Sequence, residues 1–218
     1  MMPDRHTDTR HVSFCAAALI TALCCPQSRF YQDEEVRRKV GRALRWLKEN
    51  RRDSGCFDLD SCNFDSVPDT AFTVNALTDA WHLLPTDESL LPPLTELIER
   101  ACEGIAAGGF HTPNHRWAIS ACLLEGAAIT GREDFARRAG VYLGERLGID
   151  ESGEFAERST GVYNLVNDDQ MLRLYHLTGD RQYLEAAAQN LRMMRRYFDP
   201  DGSVFAFNSR RQDFGATV

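Results

Sequence analysis

One pattern recurs in this chain and narrows what it can become. "DEEVRRKVGRALRWLKENRRDSGCF" (33–57), "REDFARRAGVYLGERLGIDESGEF" (132–155) and "DRQYLEAAAQNLRMMRRYFDPDGSV" (180–204) share a single plan. Each opens on acidic residues, carries an apolar stripe, and closes on an acidic residue and a glycine ahead of an apolar side chain. Acidic first turns suit the positive end of a helix dipole, and glycine supplies the positive φ that ends such a helix. In the first copy Val36, Val40, Ala43, Leu44 and Leu47 recur at three and four residues, the period of a buried helical face. A weaker fourth copy runs from Leu94 to Gly109 and Phe110. The turn glycines Gly55, Gly109, Gly153 and Gly202 are 54, 44 and 49 residues apart, enough for two helices and two connections per unit. Alternating strand patterns are nearly absent. The chain is therefore expected to be all-α, a single domain over 1–218 made of helical hairpins wound into a solenoid or closed toroid.

Length and composition agree with a packed core: 218 residues, 43% hydrophobic. A formal charge of -7 argues against nucleic acid as a partner, because a basic surface carries most of that affinity. Any anionic ligand has to be held by a local basic site. Seven cysteines is an odd count, and Cys15, Cys24, Cys25, Cys102 and Cys122 sit in apolar helical runs, where a thiol acts as a small buried hydrophobe. We therefore expect a reducing, cytoplasmic compartment. Cys56 and Cys62 lack the second half of a metal motif, and no metal or cofactor is expected. The run "VSFCAAALITALCC", Val12 to Cys25, has Asp4 and Asp8 before it and is too short to span a bilayer, so it is expected to be a buried first helix and not a membrane segment.

The unusual polar residues follow the turn glycines. After Gly109 comes "FHTPNHRWAIS", which places His111, Asn114, His115, Arg116 and Trp117 at a helix entry. After Gly153 comes "AERSTGVYNLVNDD", with Arg158, Tyr163 and Asn167; after Gly202 comes "FNSRRQDFG", with Arg210 and Arg211. In a ring of hairpins, equivalent loops gather on one rim. Charged donors beside an amide suit a carboxylate, since a planar guanidinium fork satisfies its oxygens. A tyrosine adds a proton carrier once nearby positive charge favours its phenolate. This set of groups fits β-elimination on a uronic acid, where the C5 proton leaves and the bond to the C4 oxygen breaks while the carboxylate is neutralised.

The adjacent pair Asn114 and His115, followed by Tyr163 within "ERSTGVY", resembles the catalytic pattern of the alginate-lyase and heparinase III group of polysaccharide lyases. The similarity runs over roughly Arg10 to Phe214, with its specific motifs in two loops. It implies an incomplete (α/α) toroid, here the N-terminal part of a longer lyase whose C-terminal β-sandwich follows. It also implies that Asn114 and His115 contact the uronate carboxylate, and that Tyr163 is the catalytic acid and, for some stereochemistries, the base. Arg116, Trp117, Arg158, Asn167, Arg210 and Arg211 are the expected substrate contacts, and an anionic polysaccharide or oligosaccharide is the expected partner.

Two other functions stay open at this level. Helical toroids also host glycoside hydrolases, which need paired carboxyl groups; Asp69 with Asp168 or Asp169 would supply them. Asp69 reads as well as part of a helix start in "SVPDTAF", and "NDDQ" (167–170) as another cap. A noncatalytic scaffold is the third possibility, although the amide, imidazole and guanidinium groups in the loops differ from the aromatic anchors of a protein-binding groove.

Overall fold

The computed structural model describes residues 8–59, 62–84, 87, 89–110 and 112–211. His111, which the sequence placed among the loop residues, lies outside them. The chain is all-α: α1 (Thr9–Cys24), α2 (Glu34–Glu49), α3 (Val67–Trp81), α4 (Leu91–Ala107), α5 (Pro113–Thr130), α6 (Glu133–Leu143), α7 (Val162–Thr178) and α8 (Arg181–Met194). A small antiparallel pair, β1 (Phe57–Leu59) and β2 (Asn63–Ser66), joins α2 to α3. No helix among the described residues is long and apolar enough to cross a membrane.

Helix starts follow side-chain chemistry. Asp33 accepts the N–H groups of Glu35 and Val36 at 2.8 and 2.9 Å, and Asp180 accepts that of Gln182 at 3.0 Å. Each cap satisfies donors that the first helical turn leaves open and contributes about 1 kcal/mol. At α3 the cap is Ser66, which accepts from the Asp69 N–H at 3.4 Å, with proline in the first turn. Asp69 itself is held by Arg10 at 3.1 Å and by the Ser66 hydroxyl at 2.5 Å. The "NDDQ" segment is no cap: α7 begins five residues earlier, and 167–170 lie inside it.

The repeated turn is real in three of its four copies. Gly55, Gly153 and Gly202 have φ of 101°, 94° and 84°. Each turn closes through two backbone bonds: Arg52 N–H to Cys56 O at 2.8 Å, Asp150 N–H to Glu154 O at 3.0 Å and Asp199 N–H to Ser203 O at 2.9 Å, with the glycine N–H donating back to the Arg52, Asp150 or Asp199 carbonyl at 2.9–3.0 Å. Two of these turns lie directly on a later helix. A Cβ at Gly55 would stand 2.0 Å from the Arg100 carbonyl oxygen of α4, and one at Gly153 would stand 2.6 Å from that of Gln189 in α8. Gly109 does not take a positive φ, so the fourth copy ends without the same turn.

The described residues divide into two compact units, 1–109 with 122–138, and 110–121 with 139–218. Helices α5 and α6 each contribute residues to both. In the first unit α1 packs on α2 and α3, and α3 packs on α4. Its centre is apolar: Ile20, Val40, Leu47, Leu77, Leu94, Ile98 and Ile105 are fully buried, each stabilising the fold by about 1.5–3 kcal/mol. In the second unit α7 packs on α8. All seven cysteines are free thiols, and Cys15 is exposed, on the outer face of α1 and not in its buried stripe.

Candidate active site

The second unit holds a polar cluster where an apolar core is the rule. On α7, Asn164, Asn167, Asp168, Met171 and Leu174 fall at the three- and four-residue steps of one helical face. That face is buried, with Asn167 at 0% exposure and Asp168 at 6%. Its C-terminal half is apolar and its N-terminal half is amide and carboxyl. The loop before α7 adds buried Glu157, Ser159 and Thr160. Between Glu157 and Ser159, Arg158 takes a φ of 48°, uncommon for a side-chain-bearing residue, and its own side chain is exposed. Ser159 then ties down the first turn of α7, its hydroxyl oxygen accepting the Tyr163 N–H at 2.9 Å.

Glu157 is the centre of the cluster. Burial pushes its carboxyl above the usual range, while the Arg211 charge, the Asn114 N–H, the Thr112 hydroxyl and the Asn167 amide pull it back. None of these donors reaches strict hydrogen-bond geometry, so they surround the carboxyl without saturating it. Asp168 is pushed up to about 7, with burial as its cause. Several buried atoms lack a hydrogen-bond partner: both Glu157 oxygens, Thr160 Oγ1, Asn164 Oδ1, both Asn167 side-chain polar atoms, and Asp168 Oδ1. Each such atom costs on the order of 1–3 kcal/mol if nothing satisfies it.

Arg211 is delivered by the C-terminal segment. The Arg158 carbonyl accepts the Arg210 N–H at 2.8 Å and the Ser209 hydroxyl at 3.3 Å. That latch sets the Arg211 guanidinium over the Tyr163 ring, 4.1 Å from its centroid. A phenol, a guanidinium, the Asn167 amide, the Asn114 backbone N–H and the Glu157 carboxyl are thereby gathered from α5, the loop before α7, α7 itself and the segment after α8.

The sequence expectations divide accordingly. Asn114, Asn167 and Arg211 meet at Glu157, and Tyr163 joins them through Arg211. His115 is half-buried, its N–H bonded to the Thr112 carbonyl at 3.1 Å. Arg116 is only 5% exposed and is spent on structure: it bonds Glu145 and the Arg146 carbonyl, both at 2.5 Å, and stacks on Trp117. Trp117 is completely buried, a core side chain and not a platform for a sugar ring. Arg210 is exposed, and the Arg158 charge faces Glu154. Asp169 is exposed and pairs with Arg173 at 3.4 Å. Glu157, Asn164, Thr160 and Thr112 were not expected. Asn164, Asn167 and Asp168 at i, i+3 and i+4 above Met171 and Leu174 were the available signal. Among the described residues no three His, Cys, Asp or Glu side chains are grouped to hold a metal ion.

No family model matches the chain, and no curated protein matches it either. Among solved structures it is similar to one described as a sugar epimerase from a ruminal bacterium, with a TM-score of 0.61 and 13% identity over 97% of this chain and 67% of that one. At that identity the likeness is one of fold: this chain is built as a helical structure of the same arrangement.

Proposed function

We propose that the protein is a carbohydrate-active enzyme that moves a proton at a sugar carbon next to a carbonyl or carboxyl group. The observation carrying this is the buried Glu157 carboxyl, raised toward the protonated form, with the Arg211 charge that faces it and lies over the Tyr163 ring; Asp168, pushed up to about 7 by burial, lies on the buried face of α7. Groups that titrate near neutral pH exchange protons most effectively with a reacting atom. A guanidinium nearby suits the negative charge that develops as the C–H bond breaks. The epimerase fold neighbour supports sugar as the substrate class.

Two reactions share this step. In β-elimination on a uronic-acid unit, Tyr163 takes the C5 proton and returns it to the leaving oxygen, while Asn114, His115 and Arg211 offset the carboxylate. In inversion at a carbon beside a carbonyl, one acid group removes the proton and another returns it from the opposite face. Incubation with uronic-acid polysaccharides and with reducing sugars separates them. Elimination gives ultraviolet absorbance from the unsaturated product, whereas inversion gives a new sugar without it. New reducing ends with neither signal would indicate hydrolysis and overturn the proposal. Tyr163→Phe should lower turnover by at least about a hundredfold with little change in binding, since it deletes a proton carrier; wild-type turnover would remove Tyr163 from the mechanism.

A further inference from the structure

We propose that the outward face of α2 binds an anionic polysaccharide through Arg38, Lys39, Arg42 and Arg45. In a chain of formal charge -7, residues 37–52 hold eight of the 25 Lys and Arg and only one of the 32 acids. Val36, Val40, Leu44 and Leu47 are buried, so α2 turns its apolar stripe inward and its cations outward. Arg37, Lys48 and Arg52 are held by Asp87, Glu96 and Asp58. Arg38, Lys39, Arg42 and Arg45 remain exposed, and Glu35 is the acid described beside the first three, at 4.0 Å from Lys39 and from Arg42.

Fold stability does not account for this stripe. Arg38 and Arg42, Lys39 and Arg42, and Arg42 and Arg45 are like charges three or four residues apart, a spacing at which they repel on a helix. The pairs with Glu35 are exposed and contribute little. A polyanion lying along the helix axis relieves the repulsion, because Arg38, Arg42 and Arg45 recur once per turn, at steps of about 5 Å. Screening confines each charge to a reach of about 8 Å in physiological salt, so the stripe attracts such a chain despite the acidic whole. Other polyanions fit less well. The apolar residues of α2 are buried and leave nothing to enter a lipid surface; its one aromatic side chain, Trp46, is half-buried, where a nucleobase would need an open stacking face. The choice of a polysaccharide rests on the carbohydrate reading above. The site itself does not, since α2 lies in the other unit and contains none of the proposed reacting groups.

Calorimetry of the whole protein with alginate and with heparin measures the site directly, with dextran as the uncharged comparison. At least one of the two polyanions should bind, and dextran should not. Raising the salt from about 50 to about 200 mM should weaken that binding at least about tenfold. The triple variant Arg38→Gln, Arg42→Gln, Arg45→Gln should weaken it by about tenfold or more at an unchanged melting temperature, since all three side chains are exposed. Removing as many exposed cations elsewhere, with Arg137→Gln, Arg181→Gln and Arg192→Gln, should leave binding nearly intact. Equal losses in the two triple variants would reduce the effect to net charge and overturn the proposal. Failure of both polyanions to bind would overturn it too, as would tighter binding of polyuridylic acid or of phosphatidylserine vesicles. Product formation from short oligosaccharides decides the carbohydrate reading whichever way polymer binding falls.

Discussion

Asp168 is a carboxyl group on a helix face that water does not hydrate, and its acidity registers the cost. The unfolded chain ionises it near 3.8 and the folded protein only at about 7. Between those values the folded state binds the extra proton, so stability attributed to this group is complete at low pH and is lost as pH rises through about 7. The full difference corresponds to roughly 4 kcal/mol. Urea unfolding at pH 5 and pH 8 should therefore show wild-type protein losing stability at the higher pH, and Asp168→Asn losing distinctly less. Equal losses in the two proteins would mean that Asp168 is hydrated in the folded state. Part of this chemistry was legible in the residues alone. Asn114 and Tyr163 stood out by type and spacing; Tyr163 lies under Arg211, while Asn114 reaches Glu157 through its backbone N–H and its side-chain oxygen accepts from Thr112. Glu157 did not, because beside Arg158 in sequence it reads as half of a surface ion pair. Only the left-handed backbone at Arg158 sends the two side chains to opposite sides.

At the level of the element, the repeated turn was legible and the polar helix was not. Glycine at positions needing a positive φ is a local signal, visible in sequence wherever it recurs. Its energetic role depends on what the turn touches, which sequence does not show. Gly153 has the Gln189 carbonyl oxygen 2.6 Å from where a Cβ would sit, while Gly202 has nothing within 4 Å. Gly202→Ala should accordingly cost about 1–2 kcal/mol, the backbone term alone. Gly153→Ala should cost that and a further clash against α8, bringing it to about 3 kcal/mol or more. Thermal or urea unfolding of both variants checks the order; a Gly202 variant as damaged as the Gly153 variant would contradict the packing described. Helix α7 escaped sequence reading for a different reason. Its outer face carries Val162, Leu165 and Leu172, all exposed, while its inner face carries two amides and a carboxyl group. The usual apolar-in pattern is reversed over its first half, so periodicity does not reveal which side is buried, and the segment 167–170 reads as a cap instead.

For the whole molecule, the all-α architecture follows from three copies of one helix-and-turn plan, and the likeness to a sugar epimerase structure extends over 97% of the chain despite 13% identity. Such a likeness arises because punctuation and apolar periodicity fix a helical hairpin array, while most individual side chains remain free to change. The division into two units was not readable, since it cuts α5 and α6 within continuous helical sequence. Glu157, Tyr163, Asp168 and Arg211 all fall in the unit made of 110–121 and 139–218, whereas Asp69 falls in the other. What joins these levels is the proposed proton transfer to and from a sugar carbon beside Glu157 and Tyr163. Its direct measurement is proton NMR of hexoses and uronic-acid oligosaccharides incubated with the protein in deuterated water. The account predicts that one carbon-bound proton beside a carbonyl or carboxyl carbon is replaced by deuterium, and that Tyr163→Phe slows the replacement. Retention of every carbon-bound proton in all of these sugars would contradict it.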